Sequence, residues 1–481
     1  MLGTLARQET STRGVPVFAR PLVLLIAGIV AVAQFVASFG NEYWLDEVAM
    51  LGLSRHPLQF GYADQPPVAV LLAKAMDTIA PGSMLVLHLP AILATTATVV
   101  VAALIARELG GDRRAQVITA FAQAGTWWIA MAGHWLSPYA LEPLVWGLLF
   151  FVLLRWIRTR SDGLLLWLGV VIGIGAETKF QIFLLCALLV LSVLIFGPRE
   201  LLCTPTFWAG AGIAVLLAAP TLIWQALHGW PQLRMGSIVT AENAFLSGGR
   251  SGTAVGMIGL AGVVGVVLFG YGLWRLLRDP GLRFIAVMVL GLWAFFVVTS
   301  GRPYYLGGCY AVVFAAGALG LQRRREAGHT RMRWFVWPAA VLSAACMASA
   351  LYASQIFVNP TGTPTGERFA SHTANALRAL PAEQREHTAV LGASYIVAGY
   401  LDAYAPQYGL PEIHSPGRAY GYFAPPEEDK SSALYVGGAP GPEALRPYFG
   451  QVRRLGPDLW LCTEKRDSWA SIWPKIRTLE V

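Results

Sequence analysis

Charged residues are scarce in this chain of 481 residues: they make up 13% of it, while hydrophobic residues make up 55%. A soluble domain usually carries about 25% charged residues, so we expect the lipid bilayer to be the solvent for much of the protein. The net charge of +8 does not indicate nucleic-acid binding, because the arginines lie beside apolar runs and form no separate basic domain. Charge at the ends of membrane helices usually sets their orientation instead.

Cysteine is also rare, with five residues that are scattered along the chain and lack the spacing of metal ligands. An odd, scattered set argues against a disulfide framework, and we interpret these cysteines as apolar filler residues. The GxxxxGK(S/T) phosphate-binding loop is missing as well, which argues against nucleotide hydrolysis. The cysteines are Cys186, Cys203, Cys309, Cys346 and Cys462.

Long apolar runs dominate the first three quarters of the chain. A membrane-spanning helix takes about 20 mainly apolar residues, and the sequence offers eleven candidates by that measure. The first candidate lacks a small-residue cleavage site, so we interpret it as a retained helix rather than a signal peptide. The predicted spans lie near residues 21–40, 84–106, 115–133, 137–157, 163–177, 180–197, 207–227, 253–274, 283–300, 303–321 and 334–356.

The arginines are distributed unevenly between the two predicted sides of the membrane. If the N-terminus is cytoplasmic, 18 arginines flank the spans on that side and six cations lie opposite, which is the bias expected of cytoplasmic loops. The long loops 41–83 and 228–252 then lie outside the cytoplasm, and residues 67–78 of the first are amphipathic and suited to the membrane interface. The cytoplasmic set is Arg7, Arg13, Arg20, Arg107, Arg113, Arg114, Arg155, Arg158, Arg160, Arg199, Arg275, Arg278, Arg283, Arg323, Arg324, Arg325, Arg331 and Arg333.

The composition changes after about residue 357, where polar residues, prolines and glycines become frequent. Short apolar runs at 389–391, 433–436 and 459–462 predict strands, and the segments near 367–380, 394–404, 442–449 and 468–478 predict helices. The sequence therefore predicts a membrane domain over 1–356 and a small extracytoplasmic α/β domain over 357–481.

Three carboxylates mark the first long loop. Asp46 and Glu47 follow the first span directly, where a charge that touches lipid is costly, so they are either functional or two solvated loop acids. Asp64 precedes Pro66 and Pro67, which fix an extended turn before the next helix. Its carboxylate could accept a sugar hydroxyl or cap that helix.

Other ionisable groups lie at the predicted ends of spans. Glu177 and Lys179 could pair with each other, or Lys179 could neutralise a phosphate. Glu142 lies near the start of the fourth span, where an acid usually faces protein or a wet cavity. We interpret His134 as an interfacial histidine. Arg302 lies on the side that has few cations, where its guanidinium could bind a phosphate through two parallel hydrogen bonds or extend to the interface.

Taken in order, these segments resemble bacterial members of the dolichyl-phosphate-mannose protein mannosyltransferase superfamily, which also includes the lipid A aminoarabinose transferases. Asp46-Glu47 resembles its first-loop acidic motif. Gly61–Pro67 is similar to the GY-x-D-H-P-P segment of the superfamily, with Gln65 in place of histidine, and Gly301–Leu306 is similar to its G-K-P-Y-Y-L segment, with Arg302 in place of lysine. Pro220–Pro231 is similar to its P-N-x-x-W-Q-x-x-x-G-x-P segment, with Thr221 in place of asparagine. The tail segments Tyr408–Pro411 and Tyr420–Tyr422 also resemble the superfamily. Gln65 cannot ionise, so we assign it no acid–base or metal role.

The resemblance implies an α-helical polytopic protein of the plasma membrane with the GT-C fold, with about 11 transmembrane helices and a small C-terminal α/β domain. It implies an inverting glycosyltransferase that uses a polyprenyl-phosphate-linked sugar rather than a nucleotide sugar. Asp46 would be the catalytic base, and Glu47 would hold or orient it. The expected donor-binding residues are Lys179, Arg302, Tyr304 and Tyr305, and the expected substrate-binding residues are Asp64 and Glu142.

Two other functions stay open at this point: a transporter or flippase of lipid-linked sugars, and a catalytically silent relative that binds glycan or scaffolds other enzymes. A transporter should show internal repeats and broken helices with polar residues at the membrane midplane. The sequence shows no repeat, and the candidate residues cluster on one predicted face of the membrane, which favours surface chemistry over translocation. No cofactor is certain, although Asp46, Glu47 and Asp64 could hold a divalent metal. The sugar and the acceptor, which could be a glycan, a lipid or a protein, cannot be read from the sequence.

Overall fold

The computed structural model describes residues 15–40, 42–329, 336–358, 365–438 and 441–480. Arg7, Arg13, Arg331 and Arg333, which contribute to the predicted charge bias, lie outside the described residues, as does the start of the predicted span 334–356. Within the described ranges the chain is mostly helical up to Val358, and a small sheet follows.

Helices cover almost every predicted apolar stretch. In chain order they are Arg20–Ala37, Leu45–Arg55, Val68–Ile79, Met84–Glu108, Arg113–Ala124, Trp127–Ala132, Pro138–Thr159, Gly163–Thr178, Gln181–Phe196, Glu200–Cys203, Pro205–Leu227, Pro231–Ser247, Gly249–Gly259, Val263–Arg278, Arg283–Val298, the 3-10 helix Pro303–Cys309, Tyr310–Glu326 and Val336–Val358.

Six helices in the described ranges are long and apolar enough to cross a membrane, or up to seven if one bent pair counts as a single span. That pair, Gly249–Gly259 and Val263–Arg278, bends by 96°. Three further apolar helices are shorter than a full span. The predicted count of eleven therefore stays a prediction. The six are Arg20–Ala37, Met84–Glu108, Pro138–Thr159, Pro205–Leu227, Pro303–Glu326 and Trp337–Val358.

Two helix breaks meet inside the bundle. The predicted span 115–133 is interrupted at Gly125, and the predicted span 253–274 is interrupted at Gly262, which has a φ of 78° that favours glycine. A Cβ on Gly262 would lie 2.1 Å from the Gly125 carbonyl oxygen, and the Trp127 amide donates to the Leu260 carbonyl at 2.9 Å. The broken ends thus satisfy each other's backbone groups, which lipid could not do.

Small residues also allow close helix packing elsewhere. A Cβ on Gly169 would lie 2.1 Å from the Gly210 carbonyl oxygen, so the helices Gly163–Thr178 and Pro205–Leu227 touch through their backbones. Such crossings are typical of membrane helices, where dispersion contacts replace the hydrophobic effect.

The C-terminal segment contains a five-stranded sheet of order β2-β1-β3-β5-β4, in which β1 lies parallel to β2 and β3 and the remaining pairs are antiparallel. The strands are β1 Thr388–Gly392, β2 Ile413–His414, β3 Ser432–Val436, β4 Phe449–Gly456 and β5 Leu459–Lys465. The helices are Thr365–Ala379, Ala382–Glu386, Tyr395–Tyr408 and Trp469–Ile476, with 3-10 turns at Arg418–Tyr422 and Arg446–Tyr448.

The three strands predicted from apolar runs are confirmed, and so are three of the four predicted helices. The helix predicted near 442–449 is wrong, because that segment forms only the short turn Arg446–Tyr448 before β4. The sequence analysis missed β4, an edge strand whose exposed residues include Arg453 and Arg454 and which therefore lacks an apolar run.

The C-terminal segment packs closely on the first loop. Helix Leu45–Arg55 lies against helix Tyr395–Tyr408, and a Cβ on Gly52 would come within 2.8 Å of the Gly399 Cα. The Arg55 guanidinium donates to the backbone carbonyls of Asp402 and Ala403. The helix that begins with the acidic pair is therefore held between the bundle and the C-terminal segment.

A buried polar network strengthens this contact. The Asp402 carboxylate lies 3.0 Å from His56 Nε2 and accepts a hydrogen bond from the Tyr420 hydroxyl at 2.6 Å. Burial raises the pKa of Asp402, and the hydrogen bond and charge of His56 oppose that rise. Because each polar group has a partner, the network fixes the register of the two parts.

Candidate active site

The two acids of the first loop have different environments, although they are neighbours in sequence. Glu47 is fully buried: its Oε1 lies 2.9 Å from His88 Nε2, and its Oε2 accepts a hydrogen bond from the Leu136 amide at 2.8 Å. Both oxygens are therefore used in contacts with the membrane helices. This arrangement lets Glu47 position the loop, and leaves it no free face for a substrate.

Asp46 is only partly buried and faces a cluster of cationic and aromatic side chains. Burial raises the pKa of Asp46, while the guanidinium groups of Arg418 and Arg302 and the Tyr139 hydroxyl lower it. The net effect is a raised pKa, because desolvation of the carboxylate outweighs the nearby positive charges. A carboxylate of this kind is well suited to accept a proton near neutral pH.

One glutamate joins two arginines in front of Asp46. Glu242 Oε2 lies 2.6 Å from Arg302 Nη2, and Glu242 Oε1 lies 2.6 Å from Arg418 Nη2. All three side chains are less than one-fifth exposed, at 19% for Glu242, 17% for Arg302 and 11% for Arg418. Helix Pro231–Ser247 of the second long loop supplies the glutamate, and the C-terminal segment supplies Arg418.

Arg418 is held in place by its backbone and by its side chain. Its φ of 44° lies in the left-handed region, and its amide donates to the Thr478 carbonyl at 2.7 Å. The guanidinium lies over the ring of Tyr395, 4.5 Å from the ring centre, and donates to the Tyr395 hydroxyl at 3.1 Å. A non-glycine residue in this region is strained, and such strain persists only where the surroundings enforce it.

Asp64 lies on the other side of the same arginine, with its Oδ2 3.6 Å from Arg418 Nη1. The following helix begins at Val68 with Pro67 at its N-cap position and has no side-chain cap, so the capping alternative for Asp64 is wrong. Burial raises the pKa of Asp64, and Arg418 opposes that rise. Asp64 Oδ1 is buried and has no partner among the described residues.

Two of the segments that resembled the superfamily contact each other and support Asp64. The Gln225 side-chain amide donates to the Tyr62 carbonyl at 2.8 Å, and the Thr221 hydroxyl donates to the Phe60 carbonyl at 2.7 Å. The segment Pro220–Pro231 thus fixes the loop that carries Asp64.

Lys179 lies on the side of the same cluster that faces the helix bundle. Its Nζ lies 3.0 Å from Glu142 Oε2, and 5.1 and 4.5 Å from the ring centres of Tyr304 and Tyr305. The pairing with Glu177 that the sequence allowed is wrong, because Glu177 Oε2 instead lies 2.6 Å from the Thr221 hydroxyl oxygen.

Aromatic rings line this face of the bundle. Tyr304 stacks on Trp128 with 4.4 Å between ring centres, and it also contacts Tyr139. Trp44, two residues before Asp46, stacks on Trp135. The site thus joins a charged cluster to an aromatic floor, an arrangement that suits an amphiphilic ligand with an anionic head.

Within the described ranges, no three histidine, cysteine, aspartate or glutamate side chains converge closely enough to hold a metal ion. Glu47, one of the three candidate ligands, points both of its oxygens away from Asp46, towards His88 and the Leu136 amide. The carboxylate oxygens of Asp46, Glu47 and Asp64 therefore do not fit a divalent ion.

The structure brings together seven of the eight predicted site residues and separates Glu47 from them. It adds Glu242 and Arg418, which the sequence analysis did not single out. Glu242 lies in a loop noted only for its length. Arg418 lies two residues before Tyr420, between the two tail segments that resembled the superfamily, and its position beside that motif was the one available signal.

The fold defines a class: a polytopic membrane protein with the fold of the GT-C glycosyltransferases. Residues 64–224 match the sequence profile of the family described as dolichyl-phosphate-mannose-protein mannosyltransferase, which confirms the resemblance predicted from the sequence. No curated protein sequence matches the chain significantly.

Solved structures of glycosyltransferases share this fold. ArnT from Cupriavidus metallidurans is similar in its apo state and bound to undecaprenyl phosphate, each with a TM-score of 0.62 over 92% of this chain and 97% of that chain, at 14% and 15% identity. The oligosaccharyltransferase AglB from Archaeoglobus fulgidus, in complex with an inhibitory peptide and a dolichol-phosphate, is similar with a TM-score of 0.50 over 87% of this chain and 69% of that chain, at 14% identity.

Proposed function

We propose that this protein transfers a sugar from a polyprenyl-phosphate carrier to an acceptor outside the cytoplasm, with inversion at the anomeric carbon. The observation that carries the proposal is the position of Asp46, a partly buried carboxylate that faces the guanidinium groups of Arg302 and Arg418 above an aromatic floor. The family match and the lipid-phosphate complexes of ArnT and AglB support this assignment.

Asp46 acts as the general base. The acceptor's oxygen attacks the anomeric carbon, and its proton passes to the Asp46 carboxylate as the new carbon–oxygen bond forms. The bond from the anomeric carbon to the carrier's phosphate oxygen breaks, and its electron pair leaves with the phosphate. A single displacement of this kind inverts the anomeric centre.

The cations stabilise the leaving group. The phosphate gains one negative charge as it departs, so fixed positive groups beside it lower the barrier. Arg302 and Lys179 lie near Asp46 and meet this need. Lys179 is kept in place by Glu142 and by the rings of Tyr304 and Tyr305, which border the path of the prenyl chain.

An apolar cavity offers room for part of the prenyl chain. It has a volume of about 240 Å³ and is lined by residues of both helix breaks, including Gly125, Trp127 and Gly262. Trp127 adjoins Trp128, which stacks on Tyr304, so the cavity and the aromatic floor share the short helix Trp127–Ala132. Glu142 and Asp64 remain the candidates for contacts with the sugar.

The site, the long loops and the C-terminal sheet lie at one end of the bundle, and the arginine bias of the sequence supports an extracytoplasmic position for that end at the plasma membrane. Convergence of the polar residues at one end favours chemistry at a membrane surface over translocation across it. No observation in the described residues favours the transporter alternative.

The test is transfer from defined polyprenyl-phosphate sugars by the purified chain in proteoliposomes. We expect the wild type to release polyprenyl phosphate and to form a product with inverted configuration, and Asp46→Asn to retain donor binding but lose transfer. Asp467→Asn, an exposed carboxylate in the C-terminal segment, is the matched control. Undiminished transfer by Asp46→Asn would remove Asp46 as the base, and retention of configuration would overturn the single displacement.

A further inference from the structure

We infer that the carrier's phosphate binds between the guanidinium groups of Arg302 and Arg418, where the Glu242 carboxylate lies in the present structure. Arg418 is then a substrate-binding residue supplied by the C-terminal segment, and Glu242 competes with the donor. This inference rests on the proposed function. Beyond the proposed function, Arg418 becomes a second ligand of the phosphate, and Glu242 becomes a group that competes with the phosphate for the two arginines.

The distance between the two guanidinium groups fits an anion that lies between them. Glu242 places one oxygen 2.6 Å from Arg302 and the other 2.6 Å from Arg418, so a single anion already joins the two guanidinium groups. A phosphate presents two or more oxygens in a similar arrangement and forms the same charge-assisted hydrogen bonds with arginine. The carboxylate therefore marks a position that fits a phosphate.

The charges around the two arginines also fit an exchange of the Glu242 carboxylate for the phosphate. A polyprenyl phosphate that carries a sugar is a phosphodiester with one negative charge, as is the Glu242 carboxylate. Exchange of one for the other leaves the charge around the two arginines unchanged. If Glu242 stayed in place, the phosphodiester would join Asp46, Asp64 and Glu242 against only two guanidinium groups, at a high electrostatic cost. After transfer, the phosphate gains a second charge, which the same pair stabilises further.

Arg418 and Glu242 differ in how firmly their contacts hold the two side chains. Arg418 is fixed by the Thr478 carbonyl, the Leu479 carbonyl and the Tyr395 ring. Its neighbour Asp64 is 3.6 Å away, too far to replace both bonds to Glu242. Glu242 reaches the pair through a flexible side chain, and it can leave without any shift of its helix.

The helix itself supports this picture. Asn243, next to Glu242, donates to the Gly301 carbonyl at 3.1 Å and to the Thr253 hydroxyl at 2.9 Å. The backbone of the second long loop is thus tied to the segment that carries Arg302. Only the Glu242 side chain needs to swing aside when a phosphate arrives.

The experiment measures binding of two lipids, undecaprenyl phosphate and the uncharged undecaprenol, to the full chain in nanodiscs. Arg418→Met should weaken binding of undecaprenyl phosphate by roughly tenfold or more and leave undecaprenol unchanged, since only the phosphate contacts are lost. Arg418→Lys should weaken it less. Arg453→Met, on the exposed face of β4, is the matched control and should bind both lipids as the wild type does.

Glu242→Gln removes the competing charge while it keeps the shape of the side chain. We expect it to tighten binding of undecaprenyl phosphate several-fold and to lower the KM for the donor more than it changes kcat. Glu383→Gln, an exposed glutamate of the C-terminal segment, serves as its control.

The outcomes separate the two proposals. If the wild type binds neither lipid and transfers from no polyprenyl-phosphate sugar, the proposed function fails. If the wild type binds the phosphate lipid and Arg418→Met binds it equally well, Arg418 is not a phosphate ligand. Equal weakening for both lipids would assign Arg418 a structural role only, and weaker binding by Glu242→Gln would overturn the competition.

Discussion

The two ends of the helix bundle carry ion pairs of different kinds. At one end, Arg158 pairs with Glu108 at 2.7 Å, and Arg325 pairs with Asp112, each acid with its own base. At the other end, Glu242 is shared between two arginines, while Asp46 and Asp64 lie nearby.

This difference distinguishes charged residues that hold the helices together from charged residues that take part in the proposed reaction. One-to-one pairs of an acid and a base at the first end hold neighbouring helices together. A shared anion and two further carboxylates with raised pKa values form an unbalanced cluster, which is costly unless it performs a task. The following predictions test this contrast between the ends.

Asp46→Asn should give the largest effect. Loss of a general base typically reduces a rate by about 10² to 10⁴-fold, and we expect a decrease of that size in the turnover of transfer. The measurement is single-turnover transfer at saturating donor. A decrease of less than tenfold would mean that the acceptor's proton goes elsewhere.

Arg302→Met should lower transfer by about 10- to 10³-fold, because a cation that stabilises the leaving phosphate is lost. The matched change at the other end is Arg325→Met, which also removes an arginine from an ion pair. Comparable losses of transfer in both variants, at equal amounts of folded protein, would abolish the contrast between the ends.

The pH dependence of transfer should report Asp46. The base is active when ionised, so the rate should fall about tenfold per pH unit below the pKa of Asp46 and level off above it. Burial raises that pKa, so the acid limb should lie above the usual range of an aspartate. Arg418 lowers the same pKa, so Arg418→Met should move the limb to still higher pH. A limb that moves to lower pH would contradict this assignment.

Arg158→Gln should give the smallest effect on transfer, a change of less than about twofold, because its pair with Glu108 lies at the end of the bundle opposite the candidate site. The Glu108 side chain is only 1% exposed, so the loss of Arg158 should lower the stability of the protein rather than its turnover. The check is transfer at a temperature well below the unfolding midpoint. A loss as large as that of Arg302→Met would give this end of the bundle a function that its geometry does not suggest.

Much of the fold could be predicted from the sequence, because long apolar runs report helices in lipid directly. The breaks at Gly125 and Gly262 could not, since each is stable only because the other supplies its backbone partners. Strand β4 was missed for a related reason: an edge strand with an exposed face carries too few apolar residues to stand out.

The candidate site could be predicted only in part. Asp46 and Arg302 stood out because a charge beside a membrane span needs an explanation. Arg418 and Glu242 lie in polar segments, where a charged residue is ordinary, and only the tertiary contacts bring them together. The separate role of Glu47 depends on the His88 side chain and the Leu136 amide, which no local pattern reveals.

The close approach of Gly52 to Gly399 has a consequence for engineering. A chimera that carries the tail of a relative would replace one half of this glycine-to-glycine contact and, with it, one wall of the candidate site. The exchanged tail would have to bring a compatible small residue and its own cation opposite Arg302. The tail and the first loop are therefore best exchanged together, as a single unit.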